Sequence, residues 1–126
     1  MIDHLSVGVS DIDLARKFYD TLLKSLGITL LAATDQLLAY GSGAIEFIAM
    51  LPYDGASPTG GNGTHIAFRA TSPEAVDAFH QAALATGGIC EGAPGPRAYP
   101  HAEVYAAYVR DPFGNKLEAL SGGFAG

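Results

Sequence analysis

The chain opens on alternating polarity. Over residues 2–9, Leu5, Val7 and Val9 share one face, and Ile2, His4, Ser6 and Gly8 share the other. That is the period-two pattern of a half-buried strand. At Asp11, a good helix N-cap, the period changes. Ala15, Phe18, Tyr19, Leu22, Leu23 and Leu26 then fall at helical spacing, which predicts a helix over about 12–26 ended by Gly27. Three short strands are expected next, at about 28–34, 36–41 and 44–51. Residues 52–63 (PYDGASPTGGNG) hold too much proline and glycine to continue a ladder and read as a linker. The pattern then restarts. A strand is expected over about 64–70, with Ile66 and Phe68 on its apolar face. Ser72 caps a helix beginning at Pro73, where a missing N–H is tolerated, with a stripe of Val76, Phe79, Ala83 and Leu84. Gly87 and Gly88 end it. A weak strand surrounds Ile89, and a loop is expected over 92–102 (GAPGPRAYPHA). Strands over about 103–110 and 115–120 flank Asp111-Pro112-Phe113-Gly114, a turn with proline second and glycine fourth.

The restart is a repeat. At an offset of 61, His4 falls on His65, Phe18 on Phe79, Leu23 on Leu84, Gly27 on Gly88 and Ile28 on Ile89, with no gap. A supersecondary unit repeated at a fixed offset dictates the architecture. The expectation is an α+β fold of two tandem βαβββ modules, each with its helix against one face of its sheet. The modules span about 1–51 and 64–121, joined by the linker into a single domain over 1–126.

Composition narrows the picture. A chain of 126 residues buries roughly two thirds of its unfolded surface and needs no disulfide or metal to fold. With 48% hydrophobic and only 16% charged residues it is not a disordered chain. The net charge is −6 with no basic run, which argues against nucleic acid as a partner. The single cysteine, Cys90, excludes a disulfide framework and cysteine-cluster metal sites, and reads as a buried filler. No apolar stretch approaches the ~20 residues of a membrane span, and no export signal is visible. The expectation is a cytoplasmic protein with no membrane partner.

Four ionisable residues sit where strand patterning does not call for them. His4 and His65 lie on the strand face opposite the apolar one. Glu46 interrupts Ala44-Ile45-Glu46-Phe47-Ile48-Ala49-Met50, and Glu118 interrupts Lys116-Leu117-Glu118-Ala119-Leu120. A carboxylate inside an apolar strand is costly to bury unless paired or metal-bound. A lone strand histidine is usually structural, and a lone strand glutamate usually faces water. Recurrence of one histidine and one glutamate in each half favours a duplicated site. If each sheet curls, two imidazoles and two carboxylates converge, a donor set suited to zinc, nickel, cobalt, manganese or ferrous iron.

The pattern resembles the vicinal oxygen chelate superfamily, which includes glyoxalase I, fosfomycin and bleomycin resistance proteins, methylmalonyl-CoA epimerase and extradiol dioxygenases. The opening IDHLSVGVSDIDLARKFYDTLLKSLG resembles the family's first strand and helix. GTHIAFRA resembles its second-module strand and VRDPFGNKLEAL its closing hairpin. The resemblance implies paired βαβββ modules, a homodimer and one divalent metal in a U-shaped cavity, with ligand positions at His4, Glu46, His65 and Glu118. That full set resembles glyoxalase I most, which implies zinc or nickel and lyase or isomerase chemistry on a small oxygen-bearing substrate through a metal-chelated enediolate. The cation acidifies a C–H beside a carbonyl, and a loosely held carboxylate serves as base. Glu118 is expected to be that base, with Glu46 its counterpart.

The chain also departs from glyoxalase I. The positions that meet glutathione there hold Gly8 and Met50, which argues against glutathione. Arg69 is the repeat partner of Gly8, lies on the His65 face and is expected to supply an anion contact. Tyr99, His101 and Tyr105, in or beside the expected loop, are expected to line the cavity mouth. His80, the repeat partner of Tyr19, reads as a helix-surface or dimer-contact residue. Two alternatives stand beside the glyoxalase-like reading: a metal-free drug- or metabolite-binding protein of bleomycin-resistance type, and a ferrous extradiol-type dioxygenase.

Overall fold

A computed structural model describes residues 1–123; the last three residues of the expected 1–126 domain lie outside the described residues. The elements run β1 (Leu5–Gly8), α1 (Ile12–Lys24), β2 (Thr29–Ala33), β3 (Leu37–Gly41) and β4 (Phe47–Met50), then β5 (Ile66–Arg69), α2 (Pro73–Ala85), β6 (Ile89–Tyr99), β7 (Ala102–Arg110) and β8 (Lys116–Gly122). They build two four-stranded sheets, ordered β1-β4-β3-β2 and β5-β8-β7-β6. Each first strand pairs in parallel with the last strand of its module, and the other pairs are antiparallel. The fold is α+β, with two βαβββ modules in tandem.

The caps explain the helices. The Asp11 side chain accepts from Leu14 N at 3.0 Å, and the Ser72 hydroxyl accepts from Ala75 N at 3.2 Å. Helix α1 stops at Lys24, two residues short of the expected end. Ser25 caps it, and Gly27 turns the chain at φ 76° so that Ile28 N reaches the Leu23 carbonyl. Strands β1, β4 and β5 are shorter than the patterning suggested, which leaves His4, Glu46 and His65 just outside strand ends.

Three expectations are corrected. Most of the expected loop over 92–102 is strand: β6 runs to Tyr99 and pairs with β7 down to Tyr99↔Ala102. Pro94 and Pro96 are tolerated because β6 is the outermost strand of its sheet, and two register shifts absorb the Gly92–Gly95 stretch. Cys90 is exposed on that strand rather than buried. Leu84 is exposed as well, although its repeat partner Leu23 is fully buried.

One core joins the modules. Val9, Phe18, Tyr19, Leu22 and Leu23 pack in a single cluster with Phe79, Val109, Leu117 and Ala119, and Phe47 meets Phe68 edge to face at 5.3 Å. A buried polar clasp reinforces the junction. Asp111, in the β7–β8 turn, accepts from Tyr19 Oη at 2.5 Å, Phe113 N at 2.9 Å, Asn115 N at 2.8 Å and Asn115 Nδ2 at 2.8 Å. Asn115 Nδ2 also donates to the Gly8 carbonyl at 2.9 Å. Burial first, then the Asp111 charge and hydrogen bond, hold the Tyr19 phenol well above its usual range. Among the described residues no helix is long and apolar enough to cross a membrane.

Candidate functional site

Strand register decides which side chains meet. In the second module Ala67 pairs with Glu118, and Tyr108 pairs with Glu118 from the other side. Glu118 therefore shares the helix-free face with His65, Ala67, Arg69 and Tyr108, while its neighbours Leu117 and Ala119 point into the core. Glu118 is 3% exposed. His65 Nε2 lies 3.2 Å from Glu118 Oε1, and Tyr99 Oη donates to Glu118 Oε2 at 3.2 Å. The Tyr108 hydroxyl bonds to Tyr99 and to Glu118. Burial first, then these two hydrogen bonds, raise the Tyr108 pKa above the usual phenol range, so it stays a neutral donor at physiological pH. The His65 ring lies 6.0 Å from the Tyr108 ring, and Lys116 Nζ sits 5.3 Å above the Tyr108 ring.

A cavity of about 330 Å³ opens on this face, with His65, Glu118 and Tyr99 at one part of its wall and Arg69 and Leu120 at another. A second, of about 320 Å³, lies between the modules, among Leu5, Glu46, Phe47, Ile66 and Phe68. Ala67 and Arg69 line both.

The first module presents a different face. Ser6, the repeat partner of Ala67, pairs with Ile48, and Ile48 pairs with Ala39. Ile48 and Ala39 thus stand where the second module has Glu118 and Tyr108. Glu46 lies two residues earlier, at the level of the residue before Leu5, and is exposed. His4 is half exposed and bonds to Asp3 Oδ1 at 2.6 Å. So the structure brings His65, Glu118 and Tyr99 together, places Arg69 in the same cavity, and puts His4 and Glu46 elsewhere.

The other expected mouth residues separate. Tyr105 turns to the helix side, where its hydroxyl donates to Asp77 Oδ1 of α2 at 2.7 Å. His101 is exposed at the tip of the β6–β7 hairpin, with φ 72°. The correction follows from the strand: period two sends Tyr105 and Tyr108 to opposite faces, which a loop would not. His80 Nε2 is buried with no hydrogen-bond partner among the described residues. Tyr108 was not singled out by the sequence, although the Asp111–Gly114 turn places it opposite Glu118.

His65 and Glu118 adjoin, but among the described residues no group of three or more His, Cys, Asp or Glu side chains gathers as an ion would require. A single chain therefore does not fit the four-donor set.

A family model described as the Glyoxalase/Bleomycin resistance protein/Dioxygenase superfamily matches residues 1–119. No curated protein matches the chain. Among solved structures, a glyoxalase/bleomycin resistance protein from Albidiferax ferrireducens is 45% identical, with a TM-score of 0.89, over 94% of this chain and 97% of that one. A lactoylglutathione lyase from Agrobacterium tumefaciens is 23% identical, with a TM-score of 0.67, over 96% and 92%. A glyoxalase-related enzyme from Fulvimarina pelagi is 19% identical, with a TM-score of 0.73, over 96% and 87%. The last two likenesses show the fold alone.

Proposed function

The chain belongs to the glyoxalase/bleomycin resistance/dioxygenase superfamily, and from that premise we propose that it is a glyoxalase-type enzyme acting on a small oxygen-bearing molecule in the second-module cavity. The observation that carries this reading is the buried Glu118 carboxylate, held by His65, Tyr99 and Tyr108 at the wall of an open cavity. A carboxylate so placed takes a proton from a carbon beside a carbonyl and returns it to the neighbouring carbon, which is lyase or isomerase chemistry. The charge that develops on the substrate oxygen needs a donor, and the Tyr99 phenol, which lines the cavity, supplies it by turning from Glu118. His65 orients the carboxylate. Arg69 and Tyr99 contact the substrate; His101 and Tyr105 take no part.

Superfamily members commonly bind a divalent metal, act on small molecules and form dimers. Zinc or nickel is the ion the resemblance favours here. Four protein donors would require His4 and Glu46 from a second copy, because among the described residues His65 and Glu118 adjoin but no third such donor joins them. A second reading, a ligand-sequestering protein without turnover, is favoured by Ile48 standing where a second carboxylate would complete the site.

The test combines elemental mass spectrometry on protein purified without chelator or affinity-tag metal with conversion of hemithioacetals of a 2-oxoaldehyde. A small thiol and glutathione are compared. About one divalent ion per chain is expected, lost in His65→Ala and Glu118→Ala. Conversion should favour the small thiol and fall by about 10²-fold or more in Glu118→Gln. A protein that takes up no metal and converts no hemithioacetal sinks the enzyme reading and leaves the sequestering one.

A further inference from the structure

Resting on the second-module cavity as the substrate site, we infer that Arg69 makes it selective for small anions, carboxylates above all, whose other end carries the oxygen that meets Glu118. The net charge of −6 opposes anions at long range, so a cation in the cavity wall sets a local sign against the field of the whole chain. Arg69 is placed for that role. It ends β5 and follows His65, the residue just before that strand, by four positions, which puts both on one face with their Cα atoms ~13 Å apart. Ala67 lies between them and Leu120 pairs across from Arg69, so the wall separating the two polar ends is apolar.

The guanidinium is also uncommitted. Arg16 pairs with Asp20 at 3.5 Å, Arg97 donates to the Ala93 carbonyl at 2.7 Å, and Arg110 binds Glu91 and the Gly114 carbonyl. Among the described residues, no such partner meets Arg69. The nearby Lys116 is occupied over the Tyr108 ring. A planar guanidinium fork matches a carboxylate with two parallel hydrogen bonds, which an ammonium does not. The anchor is one-sided by construction. At the repeat position Gly8, a Cβ would lie 2.8 Å from Pro58 Cβ, so the linker leaves no room for a side chain there. The cavity, about 330 Å³, is at the lower end of ligand-pocket sizes and suits a short molecule.

The probes are lactate and succinate, with lactamide and succinamide as neutral controls. They are titrated into the full ¹⁵N-labelled chain and read at the Arg69 Nε–H and the backbone amides of 65–69 and 118–122. Both carboxylates should bind about tenfold or more tightly than their amides, and Arg69→Gln should remove that preference, as loss of a charge-assisted contact requires. Arg69→Lys should restore part of it, and Lys116→Gln should change the affinity less than about twofold. Equal binding of acid and amide, no binding of either, or a preference that survives Arg69→Gln each overturn the anchor. Binding is read without turnover, so the anchor stands or falls even where no hemithioacetal is converted.

Discussion

The two modules keep the same scaffold and carry different faces. Their first strands and helices correspond residue for residue at the 61 offset: Leu5–Gly8 with Ile66–Arg69, and Ile12–Lys24 with Pro73–Ala85. The far sides of the sheets do not. The first module pairs Ile48 with Ala39, where the second pairs Glu118 with Tyr108. Strand β2 has five residues, whereas β6 has eleven and carries Tyr99 to the carboxylate. The elements that bury core are retained, and the exposed face and outer strand are free to specialise. The second half carries a buried carboxylate with its donors on that face, and the first carries an apolar pair at the same register.

The sharpest way to break the comparison is to exchange chemistry between equivalent positions. Glu118→Gln should cut turnover by about 10²–10⁴-fold, the usual worth of a general base. Ile48→Ala, at the matching position, should leave turnover within about threefold, measured in the same hemithioacetal assay. The core offers a second exchange. Leu23→Ala should cost about 2–5 kcal/mol in urea unfolding, because Leu23 is fully buried. Leu84→Ala should cost less than about 1 kcal/mol, because that leucine is 47% exposed. Similar losses at both would show that the halves are covered alike.

The clasp between modules is expected to come next. Asp111→Ala removes the acceptor of four hydrogen bonds and leaves Tyr19 and Asn115 donors buried without it, at about 3 kcal/mol. The smallest effect lies in alkali. The Tyr19 phenol has a raised pKa when folded, so its stabilisation is complete below the unfolded value near 10 and is lost as pH climbs towards the folded one. Stability should therefore fall above about pH 10, by up to about 1.4 kcal/mol per pH unit for this tyrosine. Tyr19→Phe should lessen that slope in a pH series of denaturant melts, the other raised phenols such as Tyr108 keeping part of it, and an unchanged slope would place the titrating group elsewhere.

The scaffold was readable from sequence because its signals are local: alternation, caps and a fixed repeat. His65 and Glu118 were readable as misfits in apolar strands. Two things were not. The identity of β6 depended on its place at the sheet edge, where Pro94 and Pro96 are tolerated; proline and glycine content alone reads as loop. The relation of Glu46 to Glu118 depended on register. The segments around both glutamates look alike, yet pairing sets Phe47 against Leu5 and Leu117 against Ile66, which shifts the first carboxylate by two residues. No periodicity fixes where two distant strands stop sliding. Tyr108 was within reach, since a turn that pairs Arg110 with Lys116 also pairs Tyr108 with Glu118.

The outer strand of the second sheet has one more effect. An outermost strand is a template: its unpaired amides and carbonyls invite another chain to extend the sheet. In β6 two prolines delete amide donors, and two register shifts spoil the spacing that a newcomer would need. The same residues that disguise this segment as a loop in the sequence thus make it a poor template for fibrous growth.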